Sequence, residues 1–157
     1  MGAIFTAEAI VKILIGVDES PFSKAALDYV KRISWPSGTR IRVVSASPPV
    51  FTGSVEANAP AVIAQLIQDQ NRMHTQFAES AAQALQGPGR SVEAAMIPGD
   101  PRSTLVEEAR AIGADLLVVG SHGRSGLSRL VLGSVANYVA SHAPCSVLIV
   151  KRPNDAV

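Results

Sequence analysis

Gly120-Ser121-His122-Gly123-Arg124-Ser125-Gly126 places three glycines and two serines in one short stretch, and Gly133-Ser134 follows after Leu127 to Leu132. Glycines without a side chain let a backbone approach a ligand closely, or take positive φ. Gly133-Ser134 falls where a helix is predicted to begin. The N–H groups of a helix start, with the helix dipole, favour an anion there, and a serine hydroxyl can donate to its oxygens. Charge placement agrees: Arg124, Arg129, Lys151 and Arg152 are the only charged side chains from Gly120 to Arg152, in a chain whose net charge is +1. The chemistry on offer is the binding of a phosphate group. Two common phosphate loops are excluded by spacing. No Gly-Lys pair exists to complete Gly-x4-Gly-Lys-Ser/Thr, and Gly-x-Gly-x2-Gly is absent. The spacing is instead Gly-x2-Gly-x9-Gly-Ser: Gly120, Gly123, Gly133 and Ser134.

Other side chains with chemical capacity are fewer. Asp18 precedes Ser20-Pro21, so it reads equally as a ligand contact or as part of a helix cap. His122 beside Ser121 suggests a hydrolytic pair, but neighbours in sequence seldom face one another and no Gly-x-Ser-x-Gly elbow is present. His122 is therefore expected to be a hydrogen-bonding loop residue. His74 and His142 are expected on helix surfaces, and the single tryptophan, Trp35, in packing. The lone cysteine, Cys145, excludes an intramolecular disulfide and a four-cysteine metal site, and reads as a buried small hydrophobe.

Elements of two kinds alternate to position these residues. Short Val/Ile/Leu-rich runs at Lys12–Val17, Arg40–Ala46, Val92–Ile97, Asp115–Val119 and Ser146–Val150 are predicted strands. Helical spacing fills each gap. The first helix starts at Ser20-Pro21, with Phe22, Ala26, Tyr29 and Ile33 predicted on its inner face. The second starts after Pro60, with Ile63, Leu66, Gln70, Met73, Phe77, Ala81 and Leu85 in one stripe whose only polar member is Gln70. The third is opened by Asp100-Pro101 and closed by Gly113, and the fourth runs from about Leu132 to His142. Ser47–Ala59 is the one long irregular stretch, a candidate lid. The alternation implies an α/β domain, a doubly wound five-stranded parallel sheet with helices on both faces. Ligands of such sheets bind beyond the carboxyl ends of the strands, where the strand order reverses.

Composition bounds the rest. The 157 residues fit one domain, and 47% hydrophobic against 17% charged residues excludes disorder. Balanced charge argues against a general nucleic-acid binder, and no apolar run is long enough for a membrane span. Met1 to Thr6 matches a permissive acylation pattern, but a plain leader on a cytoplasmic protein is the expectation.

With Gly16-Val17-Asp18-Glu19-Ser20 after the first strand, Gly99-Asp100-Pro101 after the third, Val118 to Gly123 after the fourth, and Cys145–Val150 at the end, the glycine spacing resembles the nucleotide-binding type of universal stress protein. The resemblance covers about Lys12 to Lys151. It implies a Rossmann-like sheet of order 3-2-1-4-5 that binds ATP, or ADP or AMP, with Mg2+ accompanying the phosphates. By the same resemblance, Asp18 contacts the adenine and the Ala46 backbone borders that ring. Gly120 and Gly123 line the ribose and phosphates, and Gly133, Ser134 and Val135 hold the phosphates. Arg124 and Arg129 join the phosphate end on charge alone. A stress sensor or adaptor is the implied role, and a homodimer through Cys145–Val150 the implied assembly. In the implied strand order CSVLIV lies at the sheet edge, and its lack of charge and proline fits that pairing. Two other functions stay open: a slow ATP hydrolase, and a phosphoacceptor receiver domain with Asp100 as acceptor.

Overall fold

The computed structural model describes residues 10–50, 59–123 and 131–152. Its strands are β1 (Lys12–Gly16), β2 (Thr39–Ser47), β3 (Arg90–Pro98), β4 (Leu116–Gly120) and β5 (Ser146–Val150). Between them lie α1 (Pro21–Arg32), α2 (Pro60–Leu85), α3 (Pro101–Ile112) and α4 (Ser134–His142). All strand pairs are parallel, and the sheet order is β3-β2-β1-β4-β5, as expected.

The continuous apolar run of β1 follows from its central place. Ile13 and Ile15 face one side, where they share a core with Val43, Val118, Val30 and Leu85 under α1 and α2. Leu14 points the other way, into a core with Val44, Leu105, Leu117 and Val139 under α3 and α4. With side chains alternating at period two, a strand buried on both faces needs apolar residues at every position.

The helix starts form as their sequences dictate. Ser20 Oγ accepts from the Ser23 N–H at 3.2 Å, with Pro21 at the first helical position of α1. Asp100 Oδ1 accepts from the Arg102 N–H at 2.8 Å ahead of α3, whose end is closed by Gly113 at φ 62°. A second bond to the Arg102 side chain holds the Asp100 carboxyl below its usual range. Asp100 is thus a helix cap. Trp35 packs against the α1/α2 core and donates its ring N–H to the Val30 carbonyl at 3.0 Å.

Two helix faces differ from expectation. On α1 the buried residues are Ser23, Ala26 and Val30, while Tyr29 is 41% exposed. The small side chains of Ser23 and Ala26 let the helix settle closely on the sheet, and the stripe rotates by one residue to use them. On α2 the burial begins only at His74, and Leu66 is 45% exposed. The cause is length. The 26 residues of α2 make a rod of about 39 Å, longer than the roughly 30 Å of the nine-residue β2. The amide of Gln70 donates to Ser47 Oγ at the carboxyl end of β2 (3.1 Å), so the turns before Gln70 project past the sheet edge and have no sheet to cover them. The polar Gln70 in an apolar stripe therefore marks where helix and strand end are clamped. No helix among the described residues is long and apolar enough to cross a membrane.

Candidate functional site

β2 and β4 flank β1 and lead to opposite halves of the sheet, so the chain diverges at the carboxyl ends of β1 and β4. A cleft of about 350 Å³ opens there, within the size range of small-molecule sites. Asp18, Ala46, Gly120, Gly123, Gly133, Ser134 and Val135 all line it. Seven of the nine residues singled out in the sequence are thus brought together by three strand exits and one helix start. The other two, Arg124 and Arg129, lie outside the described residues.

The glycines serve a different purpose from the one their flexibility suggests. None of Gly120, Gly123 and Gly133 has positive φ. They are needed for room. A Cβ on Gly120 would stand 2.7 Å from the Phe22 carbonyl carbon, in the backbone of α1. A Cβ on Gly133 would stand 2.9 Å from His122 Cα and 3.2 Å from the Ser121 carbonyl oxygen. At that point the two ends of the glycine loop touch, and the Gly133 N–H donates to the Ser121 carbonyl at 2.8 Å. Gly133 is also the N-cap of α4, which has no side-chain cap. The first N–H groups of the helix lack intrahelical acceptors and sit at the positive end of its dipole. Ser134 and Val135 carry them into the cleft wall.

His122 closes the same neck. Its Nε2 lies 2.6 Å from the Val131 carbonyl, which can only accept, so Nε2 donates. In the neutral ring Nδ1 then accepts from Ser121 Oγ, 3.1 Å away. The two neighbours do face each other, contrary to expectation, because the chain turns sharply after β4. The Ser121 side is 1% exposed, so its hydroxyl is an internal tie, and His122 is the bonding loop residue the sequence suggested. Phe22 backs the imidazole, with ring centroids 5.0 Å apart, and the Arg152 guanidinium lies 5.5 Å from the Phe22 ring centre on its other contact.

Asp18 caps the start of α1 and also lines the cleft. Its Oδ1 accepts from the Ser20 N–H (2.9 Å) and from Ser23 Oγ (2.7 Å). The Asp18 N–H in turn donates to Ser23 Oγ at 2.9 Å. Its Oδ2 faces the loop, 3.2 Å from the place a Cβ of Gly123 would occupy. One carboxylate oxygen secures the helix start and the other is held toward the cleft. Ser23, a residue the sequence reading passed over, fixes that rotamer.

His74 was also misplaced by the sequence reading. It is 3% exposed, with Nδ1 2.7 Å from Ser45 Oγ, and it lines the cleft beside Ala46 and Pro48. The available signal was its place one turn after Gln70, a second polar residue on the same helix face. His142 is exposed, stacked on Tyr138. Cys145 is half-buried against the α3/α4 core, less deeply than expected, and burial pushes its thiol up.

The cleft joins the uncapped start of α4 to a small-residue wall, with a carboxylate between. A family model for the universal stress protein family matches residues 10–151. The universal stress protein MJ0531 of Methanocaldococcus jannaschii is 32% identical, over 90% of this chain and 82% of its own length. Among solved structures, that of protein MJ0577 superposes with a TM-score of 0.78 at 26% identity, covering 91% of this chain and 96% of that one. A universal stress protein in complex with cAMP superposes at 0.55 with 28% identity, covering 89% and 95%. An Arabidopsis thaliana family protein with AMP bound shares the fold at 0.61 and 22% identity, covering 92% and 94%. A match that begins at the first described residue and ends beyond β5 leaves no element of the sheet outside it: the chain belongs to the universal stress protein family.

Proposed function

We propose that this chain binds an adenine nucleotide, ATP foremost and ADP or AMP as its shorter forms, and that a partner in a cytoplasmic stress response reads the occupied state. The observation that carries this reading is the two-ended cleft. Apolar Val44, Ala46 and Pro48 offer a slot for a planar base at one end, and the start of α4 offers N–H groups for phosphates at the other. Asp18 stands between them with an oxygen toward the cleft. The cAMP and AMP complexes of the related proteins support the assignment, since those ligands share adenine, ribose and phosphate.

Mg2+ enters with the triphosphate. Asp18 is the one carboxylate among the described lining residues, and half of it is already engaged by the α1 cap. The ion is therefore carried by phosphate oxygens and water, as Mg2+ commonly is. Binding, rather than turnover, is the activity the residues favour: His122, the nearest candidate base, spends its ring nitrogens on holding the loop neck. Freshly purified protein, denatured and analysed by mass spectrometry, is expected to release an adenine nucleotide. Absence of any nucleotide, together with no heat of binding for ATP, ADP or AMP, would overturn the reading.

The sheet supports an assembly as well. Among the described residues β5 pairs only with β4 and so is an edge, carrying Val147, Leu148 and Ile149. We propose that two β5 strands pair about a twofold axis, which removes both edges at once. Leu148→Lys is expected to shift the protein to monomer in sedimentation, with a lower melting temperature because Leu148 also packs against the α1/α2 core. Wild-type protein sedimenting as a monomer at micromolar concentration would refute the pairing.

A further inference from the structure

A second cavity, of about 210 Å³, opens at the amino ends of the strands, the opposite end of the sheet from the cleft. It lies where helical cover runs out. α3 packs on β1 and β2 and ends at Ile112, and α4 packs on β4 and β5, which leaves Ser91 and Glu93 of β3 exposed on this face. Lys12, Arg40 and Ser91 stand in register across β1, β2 and β3. Two residues further along the same face stand Leu14, Arg42 and Glu93.

Three cations thus line one small cavity, and their charges are answered unequally. The Arg42 guanidinium pairs with Glu93 at 3.3 Å and with Glu108 of α3. Lys12 Nζ donates to the Ile112 carbonyl at 3.2 Å, a neutral partner. The Arg40 guanidinium has no carboxylate partner among the described residues. Like charges directly opposite one another on adjacent strands destabilise a sheet. Lys12 is half-buried, and its tie to the end of α3 holds it beside Arg40. The pair is left needing a counter-charge from outside the chain.

We propose that this cavity is a phosphate-binding site separate from the nucleotide cleft, in which Arg40, Lys12 and Ser91 together hold one tetrahedral dianion. The donor types suit it. The guanidinium fork matches two phosphate oxygens, the ammonium has N–H groups beyond the one given to Ile112, and the serine hydroxyl can donate to another oxygen. The groups that would repel an anion are already engaged: the Ile112 carbonyl accepts from Lys12, and the Glu93 carboxylate from Arg42. Phosphate is the shared chemistry, whether it comes as the free ion or as the end of a small phosphomonoester.

In two-dimensional NMR at constant ionic strength, millimolar inorganic phosphate is expected to move the amides of Lys12, Arg40 and Ser91 saturably. Phosphate entering the nucleotide cleft would move Ser134 and Val135 instead, so the two sites are told apart. Arg40→Gln should weaken phosphate at this cavity by at least about tenfold and leave ATP binding in the cleft unchanged. Arg40→Glu gives a second readout, since it supplies Lys12 with a carboxylate. That variant should melt above wild type without phosphate and gain less from phosphate than wild type does. In wild type, phosphate at about ten times its dissociation constant should favour the folded state about tenfold. Phosphate also stabilises proteins by exclusion from their surfaces, so an equal gain in wild type and Arg40→Glu overturns the proposal. Shifts that stay linear across the millimolar range, or that occur only at Ser134 and Val135, overturn it too. Free phosphoserine separates the sources: tighter binding than inorganic phosphate assigns the cavity to a phosphomonoester, and equal or weaker binding assigns it to the free ion.

Discussion

Gly133→Val is expected to lower ATP affinity by at least about a hundredfold, roughly 2.7 kcal/mol, while the circular dichroism spectrum stays that of the folded protein. The new Cβ would stand 2.9 Å from His122 Cα and 3.2 Å from the Ser121 carbonyl oxygen, and both of these are backbone. Backbone cannot rotate away as a side chain can, so the neck of the loop must open. Opening it strains the bond from the Gly133 N–H to the Ser121 carbonyl and the bond from His122 Nε2 to the Val131 carbonyl. It also moves the first N–H groups of α4 away from the phosphates. Hydrogen bonds to charged groups contribute about 1.5–3 kcal/mol each, so losing good geometry at two of them accounts for the expected loss. Gly133→Ala makes the same first contact without the branch and should fall between wild type and valine. Calorimetry on folded protein is the measurement, and unchanged affinity for ATP in Gly133→Val would refute the phosphate role of this loop.

The second large effect concerns Asp18, whose two carboxylate oxygens have separate duties. Asp18→Asn keeps an oxygen to accept from the Ser20 N–H and Ser23 Oγ, but replaces the oxygen facing the cleft with an amide nitrogen. ATP affinity is expected to fall about tenfold, the worth of a single hydrogen bond to a charged acceptor. Inorganic triphosphate should bind as before, since the base end alone is altered. Asp18→Ala should show the same loss for ATP and an added destabilisation of about 1–2 kcal/mol, typical of a lost helix cap, in denaturant unfolding. Equal losses for ATP and triphosphate in Asp18→Asn would show that the residue acts on the phosphate end or on the fold, and not on the base.

Much of this protein is legible in its residues because the signals are local. Val/Ile/Leu runs form strands and Ser20-Pro21 and Asp100-Pro101 open helices, while Gly113 closes one. Each of these effects acts within a few residues, so a linear reading finds it. The glycine-serine neck is equally legible: Gly133 and Ser134 lie a short stretch from Gly120 and Gly123, and the cleft wall contains all four. Even so, the reason for the glycines was not. Room beside the backbone of Phe22 and His122 requires them, and only the packed structure brings those backbones near.

The misreadings share that cause. Tyr29 lies on the helical spacing of Ala26, yet the sheet meets α1 along Ser23, Ala26 and Val30, because the close approach depends on what lies opposite. His74 resembles a surface residue until α2 is seen to outrun the sheet, which shifts burial to its second half and makes His74 a buried part of the cleft wall near Ala46. Ser121 and His122 face each other because the chain turns after β4 and the loop returns to Val131. The sequence by itself determined the elements, their order and the glycine-serine neck, since caps and periodicity act between near neighbours. The tertiary structure alone decided which faces are buried, which Asp18 oxygen meets the cleft and that α2 supplies part of its wall, since each depends on contacts between residues far apart in the chain.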